Sequence, residues 1–183
     1  MKTRSSSAEA PRNSRPATGM KTVYLSLGSN LGDRAAHLEE AIRRLPDVGV
    51  VVRRVSSFYK TEPVEVRSQP WFVNCVVEAA TELMPTRLLG ALKSLERTLG
   101  RQPGTPKGPR PIDIDILLYE NVVVQSPELE IPHSRLAERR FVLAPLTELA
   151  PEARHPVTER TVLEMLHETP DASAVVRMKD CRE

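Results

Sequence analysis

The sequence predicts an α+β fold: a ferredoxin-like βαββαβ core with an antiparallel sheet, followed by additional C-terminal helices. Three observations carry that expectation. Apolar residues alternate between period-two and helical spacing along the chain, Gly and Pro mark each change, and 183 residues suit one domain of about 150 residues plus tails.

Residues 22–27 (TVYLSL) read as the first strand, ending at Gly28. Asn30 then offers a cap with Asp33 three residues on, opening a helix through Leu45 whose stripe is Ala35, Leu38, Ala41, Ile42 and Leu45. Residues 48–59 are expected as one long strand, 61–70 as a loop and 71–80 as the next strand. Pro85 starts a second helix in which Leu88, Leu89, Leu92, Leu95 and Leu99 share a face before Gly100. Residues 112–119 make the fourth strand and 122–124 a fifth. Residues 139–149 and 158–167 predict two further helices, the last with Val162, Leu163 and Leu166 inward.

The expected organisation is a disordered tail over residues 1–20, one folded domain over 21–168 and a C-terminal tail over 169–183. The Ser/Arg/Pro-rich opening MKTRSSSAEAPRNSRPATG lacks an amphipathic apolar stripe, which favours disorder over the alternative of an organellar transit peptide. Met20 is a second candidate start. Hydrophobic residues at 40% and charged residues at 27% fit an ordinary globular chain that folds without staples. The formal charge of +2, from 26 basic and 24 acidic residues, gives no reason to expect nucleic acid or a membrane as partner. No apolar run approaches the roughly 20 residues of a membrane span. Cys75 and Cys181 have neither CxxC nor zinc spacing, which excludes a disulfide scaffold and fits a reducing compartment. A cytoplasmic monomer is expected.

The sharpest chemical signal is Asp113-Ile-Asp115 within IDIDILLY, because side chains two apart on a strand share a face. Ile112, Ile114, Ile116 and Leu118 take the other face into the core. Two carboxylates about 6 Å apart at an effective dielectric near 20 repel by about 3 kcal/mol, which a divalent cation offsets. Oxygen ligands without nearby His or Cys favour Mg²⁺. The alternative is an edge strand whose acids are solvated or paired with arginines. Just upstream, a Pro/Gly-rich loop carries Arg101, Lys107 and Arg110, and beside that strand these cations suit a phosphate clamp. On the preceding strand Phe72 and Asn74 share a face, a pair suited to stacking on a flat heterocycle and reading its edge, with Phe141 for the opposite ring face. Gly28-Ser-Asn30 lacks a Walker lysine and GxGxxG spacing, so it reads as a cap and turn. His37, His155 and His167 read as surface or core.

These residues resemble the 6-hydroxymethyl-7,8-dihydropterin pyrophosphokinases of folate biosynthesis. The resemblance runs from about Thr22 to about Glu168 through YLSLGSNLGD, SSFYKTEP, QPWFVN, GPRPIDIDILLY, IPH and RRFVLAPLTELAP, with GPRxxDxDIL the most specific motif. It implies transfer of the β,γ-diphosphate of ATP to the pterin hydroxymethyl oxygen, releasing AMP, with two Mg²⁺ ions held by Asp113 and Asp115. By motif it implies Thr61, Val64, Phe72, Asn74 and Phe141 as the pterin pocket. It likewise implies Glu96, Arg101, Arg110, Ile116, His133 and Arg139 as ATP contacts, with Arg101 and Arg110 also catalytic. The chain departs from the family at Lys93, Glu128 and Ser134, where members often have Gln, Arg and Tyr. Lys107 stands in a shorter loop where many have Trp. The enzyme that condenses the product with p-aminobenzoate is expected as a separate chain. Two rival readings are a non-catalytic ferredoxin-like ligand-binding module and a metal-dependent nucleotide-using transferase with another acceptor.

Overall fold

The structure is a computed structural model, and it describes residues 19–104 and 107–179. The expected tail over residues 1–20 falls almost wholly outside them, as does Cys181. In chain order the elements are β1 (Lys21–Ser29), α1 (Arg34–Arg44), β2 (Val50–Val55), β3 (Tyr59–Thr61), β4 (Phe72–Thr81), α2 (Pro85–Thr98) and β5 (Asp113–Tyr119). The two-residue strands β6 (Val124–Gln125) and β7 (Glu130–Ile131) come next, then α3 (Arg140–Leu149), α4 (Val162–Glu168) and β8 (Val175–Arg177). The sheet is antiparallel in the order β5-β1-β4-β3-β8, with β2 also pairing β4. The βαββαβ order and the α+β class are as the sequence predicts.

Alternation along the strands builds two cores. Val23, Leu25 and Leu27 of β1, Cys75 and Val77 of β4, and Ile114 of β5 face Leu38 and Ala41 of α1 and Leu88, Leu92 and Leu95 of α2. On the opposite face Val76, Leu117 and Leu118 pack with Val142, Leu143 and Leu146 of α3 and Val162 and Met165 of α4. These C-terminal helices cover only part of their face. The uncovered part carries Ser26, Gly28, Phe72, Asn74, Asp113 and Asp115.

Several expectations change in detail. The helix cap is Asp33, whose carboxylate accepts from the Ala36 N–H at 3.1 Å, while Asn30 holds other partners. The long strand over 48–59 breaks after Val55 because the Ser56 hydroxyl accepts from the Val76 N–H at 2.9 Å, a bond a main-chain carbonyl would otherwise receive. Leu118 joins the α3 and α4 core, since a bulge against Tyr24 and Leu25 skips Leu117 and shifts the alternation. The fifth strand contains only Val124 of residues 122–124 and pairs with β7 in a separate ribbon. The last helix starts at Val162, after a capping box between Thr161 and Glu164. Within the expected C-terminal tail, residues 175–177 form β8 against β3. Cys75 lies in the core, where burial pushes its thiol up.

Candidate active site

Strand β5 sends Ile114 and Ile116 into the core and leaves Asp113 and Asp115 on the uncovered face. Register across the sheet sets Asp113 beside Gly28, which in turn lies beside Asn74, and sets Asp115 beside Ser26. Asp113 accepts from Arg101 Nη1 at 2.6 Å and pairs with Arg110 Nη2 at 3.3 Å. Burial works against its charge, but the two guanidinium groups hold its carboxyl below the usual carboxylate range. Asp115 accepts no hydrogen bond from the described residues, and burial with the Asp113 charge alongside pushes it up to about 6. A partly exposed, unpartnered carboxylate two residues from another is what a cation completes. Oxygen donors alone suit Mg²⁺; among the described residues no cluster of three or more His, Cys, Asp or Glu that could hold a metal occurs.

Glu96 stands behind this pair on the buried side of α2, only 2% exposed. Its Oε1 accepts from the Ile114 N–H at 2.7 Å and its Oε2 from Arg101 Nη1 at 3.0 Å, with Lys93 Nζ 3.4 Å away. Burial raises its carboxyl above the usual range despite these partners. Glu96 thus braces Arg101, and through it Asp113, rather than lining either cleft described next.

A first cleft opens on the uncovered face of the sheet. Thr61, Val64, Phe72, Asn74 and Phe141 all line it, together with Arg110, Arg139 and both aspartates. The Arg110 guanidinium lies 5.2 Å from the Phe72 ring centre and that of Arg139 5.7 Å from the Phe141 ring centre. Asn74 Nδ2 donates to Thr61 Oγ1 at 2.6 Å. Its Oδ1 lies against Gly28, where an added Cβ would stand 2.5 Å away, so the cleft floor requires the missing side chain.

A second cleft is lined by Lys93, Asp115, Ile116, His133 and the 126–130 turn, with Glu128 and Ser134 among its walls. Burial, with Arg139 nearby, pushes the His133 imidazole down to about 4, so it is neutral at pH 7. Of the six residues the resemblance assigned to ATP, Ile116 and His133 line this cleft, Arg110 and Arg139 line the first, Arg101 pairs with Asp113, and Glu96 pairs with Arg101. Asp115 lines both clefts.

Glu65 and Gln69 escaped the sequence reading, and Asn30 was read there only as a cap and turn. Asn30 Oδ1 accepts from the Arg110 N–H at 2.8 Å and its Nδ2 donates to Gln69 Oε1 at 2.7 Å, while Gln69 donates to the Lys107 carbonyl. Glu65 binds Lys107, Arg135 and Arg139. No local pattern announces these contacts, since each partner lies far along the chain or in an irregular loop.

Fold and site together define an α+β domain in which two clefts meet at a pair of strand carboxylates. The chain belongs to the 7,8-dihydro-6-hydroxymethylpterin-pyrophosphokinase family, which residues 24–151 match. It is 39% identical over 145 residues to the 2-amino-4-hydroxy-6-hydroxymethyldihydropteridine pyrophosphokinase of Aquifex aeolicus, covering 79% of this chain and 90% of that one. It is 48% identical over 127 residues to a mitochondrial folate synthesis bifunctional protein of Arabidopsis thaliana, covering 69% of this chain. The chain spans 23% of the length of that bifunctional relative. In fold it is similar to the Plasmodium falciparum HPPK-DHPS wild type with pteroate, with a TM-score of 0.67 at 15% identity over 81% of this chain and 44% of the other. No helix among the described residues is long and apolar enough to cross a membrane.

Proposed function

We propose that the chain transfers the β,γ-diphosphate of ATP to the hydroxymethyl group of 6-hydroxymethyl-7,8-dihydropterin in folate synthesis. The single observation that carries this reading is that Asp115 lines both clefts. A pterin between Phe72 and Phe141, its edge read by Asn74 and Thr61, directs its hydroxymethyl oxygen toward the carboxylates. ATP in the second cleft, beside Ile116 and neutral His133, directs its phosphates to the same place. The hydroxymethyl oxygen bonds to the β-phosphorus, the bond from that phosphorus to the α–β bridging oxygen breaks, AMP leaves with that oxygen, and the hydroxyl proton is lost. Asp113 and Asp115 would hold two Mg²⁺ ions, which supply neutralisation of phosphate charge. Arg101 and Arg110, both at Asp113, stabilise the transferring group, consistent with a reaction that depends on positioning and charge more than on a protein base. A monomer at work in the cytoplasm belongs to the same reading, and the buried free thiol at Cys75 is consistent with a reducing compartment.

The test is nucleotide product analysis with ATP, Mg²⁺ and the pterin, with controls lacking pterin or metal. Pterin-dependent AMP is expected. ADP would replace diphosphate transfer with phosphoryl transfer, and AMP made without the pterin would point to another acceptor.

A further inference from the structure

The first cleft is rich in cations for a site that takes a neutral pterin. Lys107, Arg110, Arg135 and Arg139 all line it, and three of them converge on one carboxylate. Glu65, in the loop between β3 and β4, binds Arg135, lies 3.3 Å from Lys107 Nζ and 3.6 Å from Arg139 Nη2. The Lys107 and Arg135 side chains are 60% and 40% exposed, and ion pairs this open contribute little to folding. The cluster therefore needs an account other than stability.

Transfer changes the charge of what the cleft holds. The acceptor enters with an uncharged hydroxymethyl group and leaves carrying a diphosphate, whose oxygens match guanidinium and ammonium groups. Cations left unbalanced would bind that product more tightly than the substrate, and affinity gained only after the chemical step slows turnover. Resting on the pterin reading, we propose that Glu65 is a positioning residue that balances Lys107, Arg135 and Arg139, so that the neutral acceptor is admitted and the anionic product is not retained. Burial works against the charge of Glu65, but hydrogen bonds from Lys107 and Arg135 hold its carboxyl below the usual range, so it is ionised at pH 7.

The experiment compares wild type, Glu65→Gln and Glu65→Asp by calorimetric titration in Mg²⁺. The probes are 6-hydroxymethyl-7,8-dihydropterin, with a non-hydrolysable ATP analogue present, and the pterin diphosphate. In Glu65→Gln the diphosphate should bind about tenfold tighter, the order expected on removing one charge from a partly screened cluster. Pterin affinity should stay within about twofold, kcat should fall with little change in the pterin KM, and Glu65→Asp should restore both toward wild type. Equal weakening of both ligands in Glu65→Gln would reduce Glu65 to loop support, and an unchanged diphosphate affinity would equally overturn the proposal. Wild type binding neither probe would overturn the pterin reading, and this inference with it.

Discussion

Replacing Glu96 with Ala separates a nucleotide contact from a brace. The Ile114 N–H, on a residue 1% exposed, would lose the acceptor it meets at 2.7 Å, at a cost of about 1–3 kcal/mol for an unsatisfied buried donor. Arg101 would lose one of its two carboxylates; its side chain is 31% exposed, so water compensates most of that loss and about 0–1 kcal/mol is added. The sum, about 1–4 kcal/mol, corresponds to roughly 2–16 °C in Tm for a chain of this length. Glu96→Gln keeps an acceptor for Ile114 and should cost below about 1 kcal/mol. With Arg101 held by Asp113 alone, kcat in Glu96→Ala should fall about tenfold while the KM for ATP stays within about twofold. Urea unfolding and steady-state kinetics read both effects. A variant that unfolds at the wild-type urea concentration but raises the KM for ATP would make Glu96 a nucleotide contact and refute the bracing role.

Gly28→Ala should force Asn74 to turn away and break its 2.6 Å bond to Thr61, costing about 1 kcal/mol; the pterin KM should rise with the ATP KM unchanged, and equal rises in both would count against the assigned pterin edge. Asp115→Ala should abolish turnover and the Mg²⁺-dependent rise in Tm while leaving metal-free melting no worse, because the removed charge is unpartnered and disfavoured by burial; near-normal activity would refute the metal assignment. His133 titrates near 4 in the folded protein, below the ordinary value of about 6.5. Between those values the unfolded chain binds more protons, so stability rises with pH across that window and is lost as pH falls through it. Glu and Asp titrations add their own slope, and His133→Gln should remove the imidazole share of it in Tm measured from pH 4 to 7. An unchanged slope would mean that the imidazole is solvated.

Local periodicity was enough to place most of the fold. Leu88, Leu92 and Leu95 recur on one helical face after Pro85, and the Ile and Asp residues of β5 alternate as a strand between core and cleft requires. Long-range contacts were not legible. Glu65 and Arg135 are 70 residues apart, and nothing in the loop around Glu65 distinguishes it from a solvated acid. The break at Ser56 depends on a hydroxyl meeting Val76 across the sheet, and β8 depends on a partner strand at Tyr59–Thr61. Resemblance placed Glu96 among the ATP contacts; its burial follows from its helical register with Leu92 and Leu95, a signal present in the sequence but outweighed there by the motif.

The position of the site follows from how the sheet is covered. Helices α1 and α2 close one face completely enough to form the larger core, while α3 and α4 close only part of the other. On the open part, β1 contributes Ser26 and Gly28 between the carboxylates of β5 and the Phe72 and Asn74 of β4. These small residues keep the floor of the first cleft low between the aspartates and the amide, and the two clefts meet at Asp115. Because strand side chains alternate, the same register that buries Ile114 and Ile116 aims Asp113 and Asp115 at the first cleft. A slip of one residue would bury both carboxylates and expose both isoleucines, so the core that holds β5 in register also enforces the geometry of the carboxylate pair.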